Sequence, residues 1–362
     1  MRVLVAPQEF KGSLSALQAA ESIASGARRA VPSADIDLLP LSDGGPGFLQ
    51  ALHAAIDGAF HQVEARDALR RPVTASILQA GNTVFVEAAE ANGLWRLHTD
   101  ELDPLNAGTE GVGDLLLAAA KLAPARIVIG VGGSATSDGG AGMARALGAR
   151  FTGMDGAELR PGAAPLADLV RVDWQRPALF EGIDIIVATD VENPLLGPEG
   201  AAHVYGPQKG ANPQQVDQLE AALFRYATTL RRAFAVDVAF MPGAGAAGGL
   251  AAGLIAFLGA RVESGFDVVA DATDLRGRVE QAELVLTGEG SYDAQSAMGK
   301  VTGRVQRMAE EAGRRCIILA GRADDAGEDV HTLSSIETDT ERAIANASGL
   351  LEQLAEAVLS PR

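Results

Sequence analysis

Ile127-Val128-Ile129-Gly130-Val131-Gly132-Gly133-Ser134-Ala135-Thr136-Ser137-Asp138-Gly139-Gly140-Ala141-Gly142 carries an apolar strand into a loop of small residues and on into an Ala-rich helix start. Such a loop lets backbone N–H groups and hydroxyls, here Ser134 and Thr136 beside Gly132 and Gly133, close on phosphate oxygens at a helix N-terminus, where the dipole adds attraction. The spacing is neither Walker A nor G-x-G-x-x-G. A tight strand-to-helix turn capped by serine or threonine is the plainer alternative. A second apolar run, Ile185-Ile186-Val187-Ala188-Thr189, ends on Asp190. A carboxylate there can bind Mg2+ or take a proton from an attacking hydroxyl; its alternative is to open the turn before Asn193-Pro194.

Loops of the same form occur at Ser42-Asp43-Gly44-Gly45, Pro242-Gly243-Ala244-Gly245-Ala246-Ala247-Gly248-Gly249 and Thr287-Gly288-Glu289-Gly290-Ser291-Tyr292-Asp293. Each is weak alone, since Asp-Gly is common in turns. Lysine sharpens the picture: Lys11, Lys121, Lys209 and Lys300 are the only ones, so the other 26 of 30 basic residues are arginine. All but Lys121 abut glycine, as a compact point charge serving a phosphoryl oxygen would; chance placement at exposed turns is the competing reading. Gly-rich loops, scattered carboxylates and scarce lysines together are the parts of phosphoryl transfer, where positioning and electrostatics dominate.

The elements that must position these loops alternate along the chain. Arg2–Ala6, Thr83–Val86, Arg126–Val131, Asp184–Thr189, Glu283–Thr287 and Cys316–Ala320 read as strands, and Leu14–Ala30, Leu105–Lys121, Gln214–Ala233 and Val301–Ala312 as helices. This alternation argues for an α/β fold with parallel sheets, whose ligands gather beyond the carboxyl ends of the strands. The Pro- and Gly-rich section from Phe151 to Pro177 reads as a surface excursion.

Length and composition exclude other classes. A chain of 362 residues has room for two domains. Glycine at 42 residues without a G-X-Y period excludes collagen and favours a loop-rich enzyme. A net charge of −17 leaves no broad basic field for nucleic acid or an anionic membrane. The single cysteine, Cys316, forms no internal disulfide, and the five histidines show no zinc-ligand spacing. There is no G-x-S-x-G nucleophile elbow. With that one cysteine a cytoplasmic protein is the simplest expectation, and Met1 to Ala6 reads as a first strand rather than a signal peptide. The uncharged stretch Val238 to Ala260 is long enough to span a bilayer, but Pro242 and its glycines make a buried loop and helix the better reading. Trp95, Trp174 and Tyr205 are expected to pack rather than stack on a ligand.

Taken in order, the loops resemble the bacterial glycerate kinase family that is unrelated to sugar kinases. The resemblance rests on Phe10-Lys11-Gly12-Ser13-Leu14-Ser15-Ala16, Asp43-Gly44-Gly45, Glu87 to Leu94, Gly132 to Gly142, Asp190 to Leu195, Pro207-Gln208-Lys209-Gly210-Ala211, Pro242 to Leu250, and Thr287-Gly288-Glu289-Gly290 with Asp293 and Gln295. It implies two α/β domains with an interdomain cleft: a discontinuous flavodoxin-like domain from 1–62 plus 283–362, and an inserted α/β domain over 63–282. It implies ATP with Mg2+ as phosphoryl donor and D-glycerate as acceptor, giving 2-phosphoglycerate or 3-phosphoglycerate. On this reading Asp190, Lys11 and Asp43 are catalytic. Gly132, Gly133, Ser134, Thr136, Asn193, Lys209, Gly243 and Gly245 hold the nucleotide, Glu289, Asp293, Gln295 and Lys300 hold the acceptor, and Asp190 and Asp138 hold the metal ion. The partner is a small molecule, neither nucleic acid nor membrane, and a homo-oligomer is compatible with the sequence.

Three strand-end loops depart from the family's pattern. Ala6-Pro7-Gln8-Glu9-Phe10-Lys11 stands for A-P-D-S-F-K, Asp43-Gly44-Gly45-Pro46-Gly47-Phe48 for D-G-G-E-G-T, and Gly288-Glu289-Gly290-Ser291-Tyr292-Asp293-Ala294-Gln295-Ser296 for G-E-G-R-x-D-x-Q-T. Ser137 also replaces the favoured asparagine. Arginine is the natural bidentate partner of a carboxylate, so its absence at Ser291 bears on the acceptor. Two alternatives therefore stand beside a glycerate kinase: a kinase with another acceptor, and a paralogue that binds nucleotide or a small hydroxy acid as a sensor.

Overall fold

β-branched and other apolar residues build the framework, and each of the six runs read as strands is extended in the structure. The computed structural model describes residues 1–293, 299–324 and 327–360. Its strands are β1 (Arg2–Val5), β2 (Asp35–Leu38), β3 (Ala59–Arg66), β4 (Pro72–Ala80), β5 (Thr83–Glu87), β6 (Arg126–Gly130), β7 (Arg150–Thr152), β8 (Arg171–Asp173), β9 (Asp184–Ala188), β10 (Arg261–Glu263), β11 (Leu284–Tyr292), β12 (Arg315–Ala323) and β13 (Val330–Thr332). The chain divides into two α/β units. One comprises Met1–Ser42, Gln50–Asp57 and Phe266–Arg362; the other comprises Asp43–Leu49 and Gly58–Gly265.

The first unit holds an all-parallel sheet in the order β13-β12-β11-β1-β2. Strands of such sheets are covered on both faces and read as unbroken apolar runs, as Val3-Leu4-Val5, Leu284-Val285-Leu286 and Ile317-Ile318-Leu319 do. The helix Ala16–Ala30 begins at a capping box in which Ser15 Oγ accepts from the Gln18 N–H and Gln18 Oε1 accepts from the Ser15 N–H. Its buried Ala16, Ala19, Ala20, Ile23, Ala24 and Ala27 form one helical stripe. That stripe and the C-terminal helix Ala347–Leu359 share the core of the unit with Val3, Val5, Leu286 and Leu319, each such side chain contributing roughly 1.5–3 kcal/mol on burial.

The second unit holds a six-stranded sheet in the order β10-β9-β6-β5-β4-β3, parallel from β10 to β5 and antiparallel beyond. The β3–β4 hairpin escaped the sequence reading because β3 buries only Val63 and Ala65 among largely polar neighbours. The section from Phe151 to Pro177 is not the surface excursion expected. Phe151, Leu166, Leu169 and Val172 are buried in the core, and β7 pairs with β8; proline and glycine shape its turns while those four side chains pin it down. The uncharged stretch is a loop followed by the buried helix Ala246–Leu258, and no helix of the described residues is long and apolar enough to cross a membrane. Trp174 packs edge-on to Phe257, ring centres 5.2 Å apart.

Candidate active site

The strands β5, β6, β9 and β10 run parallel, so their carboxyl ends lie along one edge of the second unit's sheet. Backbone from Asp43 to Gly47 lies against this edge. The Gly132 N–H donates to Gly44 O at 3.1 Å. A Cβ on Gly44 would stand 2.4 Å from Ala188 O, and one on Gly265 would stand 1.9 Å from Asp43 O. Main chain therefore touches main chain here, and side chains have no room. The packing fixes Asp43, whose Oδ1 accepts from the Gly45 N–H at 3.0 Å. Asp190 is exposed one residue beyond Thr189, whose N–H donates to Glu263 O at 3.0 Å and whose Oγ1 accepts from the Val191 N–H at 3.2 Å. Asp43 and Asp190, far apart in sequence, thus reach the same sheet edge.

The loop after β6 is only partly what its sequence suggests. Gly132 and Gly133 are accessible, but Ser134 and Thr136 are buried. Thr136 Oγ1 accepts from Asn92 Nδ2 at 2.9 Å. Beneath the loop lies Lys209, 2% exposed, whose Nζ donates to Thr136 O at 2.5 Å and to Ser134 Oγ at 3.2 Å. Burial pushes its ammonium down to about 7, against an opposing pull from Asp138. The two hydroxyls and Lys209 are therefore placed as loop supports, and the accessible part of the loop is the Gly132-Gly133 backbone.

Asp138, expected as a metal ligand, is likewise an anchor. Its buried carboxylate accepts from the Thr109 N–H at 3.0 Å and Thr109 Oγ1 at 2.9 Å, and from the Gly140 and Gly142 N–H groups at 3.1 and 2.9 Å. With its oxygens so engaged, Asp138 offers no open coordination position. The side chain of Asn193 is committed to its own loop as well, its Nδ2 donating to Glu199 O at 2.8 Å and its Oδ1 accepting from the Tyr205 hydroxyl at 2.7 Å. Gly243 and Gly245 send their N–H groups to Glu192 O and Asn193 O. They hold the 242–249 loop against the 191–195 loop, where a Cβ on Gly245 would stand 2.1 Å from Pro194 O.

One residue at this edge was not singled out from the sequence. Glu87, the last residue of β5, is buried and accepts from the Gly47 N–H at 3.1 Å and the Leu49 N–H at 3.2 Å. The signal was present, a carboxylate closing an apolar strand as Asp190 does. Burial pushes its carboxyl up to about 7, the two N–H donors opposing. Because the folded pKa exceeds the usual 4.5, the folded state binds more protons between pH 4.5 and 7, and stability falls as pH rises through that window. Glu87→Gln, which has no such titration, should gain roughly 3 kcal/mol relative to the parent between pH 4.5 and pH 8. Urea unfolding of both proteins at the two pH values measures this, and a pH-independent difference would show that Glu87 titrates normally.

In the first unit, the N-terminal loop runs along the end of β11. The Gln8 N–H donates to Gly288 O at 2.9 Å, and Thr287 Oγ1 donates to Ala6 O at 2.7 Å. This brings Lys11, exposed beside Gly12, to the carboxyl end of the sheet with the buried Glu289 and the half-buried Asp293. Lys300 lies 3.6 Å from Asp293. Gln295 lies outside the described residues.

A sequence model of the glycerate kinase family matches residues 3–361. The chain is 41% identical to the glycerate 2-kinase of Escherichia coli (strain K12) over 332 residues, covering 90% of this chain and 87% of that one. It is 40% identical to the glycerate kinase of Bacillus subtilis (strain 168), covering 89% of this chain and 85% of that one. Among solved structures it is similar to a glycerate kinase 2 from Salmonella typhimurium LT2, with a TM-score of 0.83, 38% identity, and coverage of 99% and 97% of the two chains.

Proposed function

The chain belongs to the glycerate kinase family, phosphotransferases with an alcohol group as acceptor, and from that premise we propose that it transfers the γ-phosphoryl group of ATP to the 2-hydroxyl of D-glycerate. The observation carrying this reading is the convergence of Asp43, Asp190 and the accessible Gly132-Gly133 backbone on one sheet edge. The glycerate hydroxyl attacks the γ-phosphorus, the bond from that phosphorus to the β–γ bridging oxygen breaks, ADP leaves with the electron pair, and the hydroxyl proton passes to Asp190. Gly132 and Gly133 present the main chain that approaches the nucleotide, and Gly243 and Gly245 hold the 242–249 loop beside the chain that leads from Asp190. Lys11 meets a phosphoryl oxygen, and Glu289, Asp293 and Lys300 meet the acceptor.

Mg2+ is usually held by one or two carboxylates together with substrate phosphates rather than by an all-protein cage. Among the described residues no group of three or more His, Cys, Asp or Glu side chains is arranged to hold a metal ion, while Asp190 is exposed and Asp43 half-buried. That donor set fits Mg2+ shared with a nucleotide. When bound, the ion neutralises charge on the phosphoryl oxygens, and Asp190 is the residue that would hold it if it is not the base.

A coupled ADP-release assay over a panel of hydroxy acids, with phosphorus NMR of the product, tests the proposal. Turnover of D-glycerate to 2-phosphoglycerate is expected. Formation of 3-phosphoglycerate would move the transfer to the other hydroxyl, and folded protein that turns over none of the panel would overturn the kinase reading.

A further inference from the structure

The third altered loop lacks the arginine of the family pattern and carries Ser291 in its place, yet the sheet brings an arginine to the same spot. Strands β11 and β12 pair in parallel with Ser291 opposite Arg322. Arg322 Nε donates to Ser291 Oγ at 3.1 Å. The register behind this contact is tightly set: Leu284 to Glu289 pairs with Arg315 to Ala320, and a Cβ on Gly321 would stand 2.4 Å from Gly290 O. With glycine at 290 and 321, no side chain intervenes between the two backbones just before the pair. The guanidinium is thereby laid across the end of β11.

The chemistry around it is acidic. Glu289 is buried at the end of the same strand, and Asp293 follows it with Lys300 at 3.6 Å. An anionic acceptor approaching this edge needs a cation that is not already neutralised. Arg322 is exposed, and no carboxylate among the described residues stands within ion-pair distance of it. Its Nε bond to Ser291 orients the guanidinium and leaves the two terminal nitrogens as a fork, the geometry that matches a carboxylate.

We propose that Arg322 grips the carboxylate of the acceptor, so that β12 supplies the guanidinium that β11 lacks at Ser291. For the acceptor's identity this rests on the kinase reading. Arg322 is then the residue that makes the protein select a hydroxy acid over a neutral polyol.

Four proteins decide it: the parent, Arg322→Gln, Arg322→Lys, and the exchange Ser291→Arg with Arg322→Ser. Arg322→Gln should raise KM for D-glycerate roughly 10- to 100-fold while KM for ATP changes less than about twofold. Arg322→Lys keeps the charge without the fork and should fall between. The exchange variant, which returns the guanidinium from β11, should recover most of the loss, as a merely structural role for Arg322 would not allow. KM for D-glycerate within about twofold of the parent in Arg322→Gln would overturn the inference. Should the parent not phosphorylate D-glycerate, the assignment of that acceptor fails on its own. Calorimetric titration with D-glycerate and its neutral amide then decides: binding of the acid that Arg322→Gln abolishes supports the inference, and equal binding by parent and variant, or none by the parent, refutes it.

Discussion

Asp190→Asn lowers kcat by about a hundredfold or more, the usual scale for removing an acid–base group. Asparagine keeps the volume and much of the hydrogen bonding of aspartate but takes no proton. The backbone beside it should be unaffected, because Thr189 is held by its own bond to Glu263 O and Asp190 is exposed. The defect should therefore appear in steady-state kcat at saturating substrates, with an unchanged unfolding transition. Raising Mg2+ separates the two roles: a deficit that persists at high Mg2+ marks the base, and one that recovers marks a metal ligand. Near-parental kcat would remove Asp190 from the mechanism.

The second large effect is on stability. Gly248 has φ +67°, and a Cβ there would stand 2.0 Å from Thr136 O, 2.8 Å from Ser137 Cα and 2.8 Å from Lys209 Nζ. Two of those atoms are backbone, so the clash is not relieved by a rotamer change. Gly248 O also accepts from the Gly139 N–H at 3.1 Å, so any shift disturbs both loops. Backbone strain and overpacking each cost about 1–3 kcal/mol, and Gly248→Ala should lose roughly 2–5 kcal/mol in urea unfolding. Gly156→Ala is the internal control: φ is +75° but nothing lies within 4 Å of the added atom, so strain alone, about 1 kcal/mol, is expected. Equal losses at the two positions would show that the contact of Gly248 with Thr136 and Lys209 is not tight.

Both predictions concern loops that the sequence located but did not orient. The Pro242 to Gly249 run is plainly a loop before a helix, yet the left-handed backbone at Ala247, Gly248 and Gly249 is set by the chain it meets at Thr136. The scarcity of lysine singled out Lys209, and the structure gives that residue a different setting from the one expected. A lysine beside glycine looks like an exposed turn, but Lys209 ends beneath a loop 73 residues away.

By itself the sequence determined six of the strands, most of four helices between them, the succession of strand-end loops and the family to which they belong, but not the β3–β4 hairpin or the C-terminal helix Ala347–Leu359. These depend on local quantities: apolar runs that suit a doubly covered sheet, and small residues where backbone must come close. The tertiary structure alone decided that Asp43 joins Asp190 at one edge, that Ser134, Thr136 and Asp138 are buried, that Phe151 belongs to the core, and that Arg322 reaches Ser291. The physical reason is that a side chain's exposure and partners are fixed by whichever distant backbone arrives beside it. Strand register and glycine-to-backbone packing set that arrival, and neither leaves a periodic trace in the residues concerned.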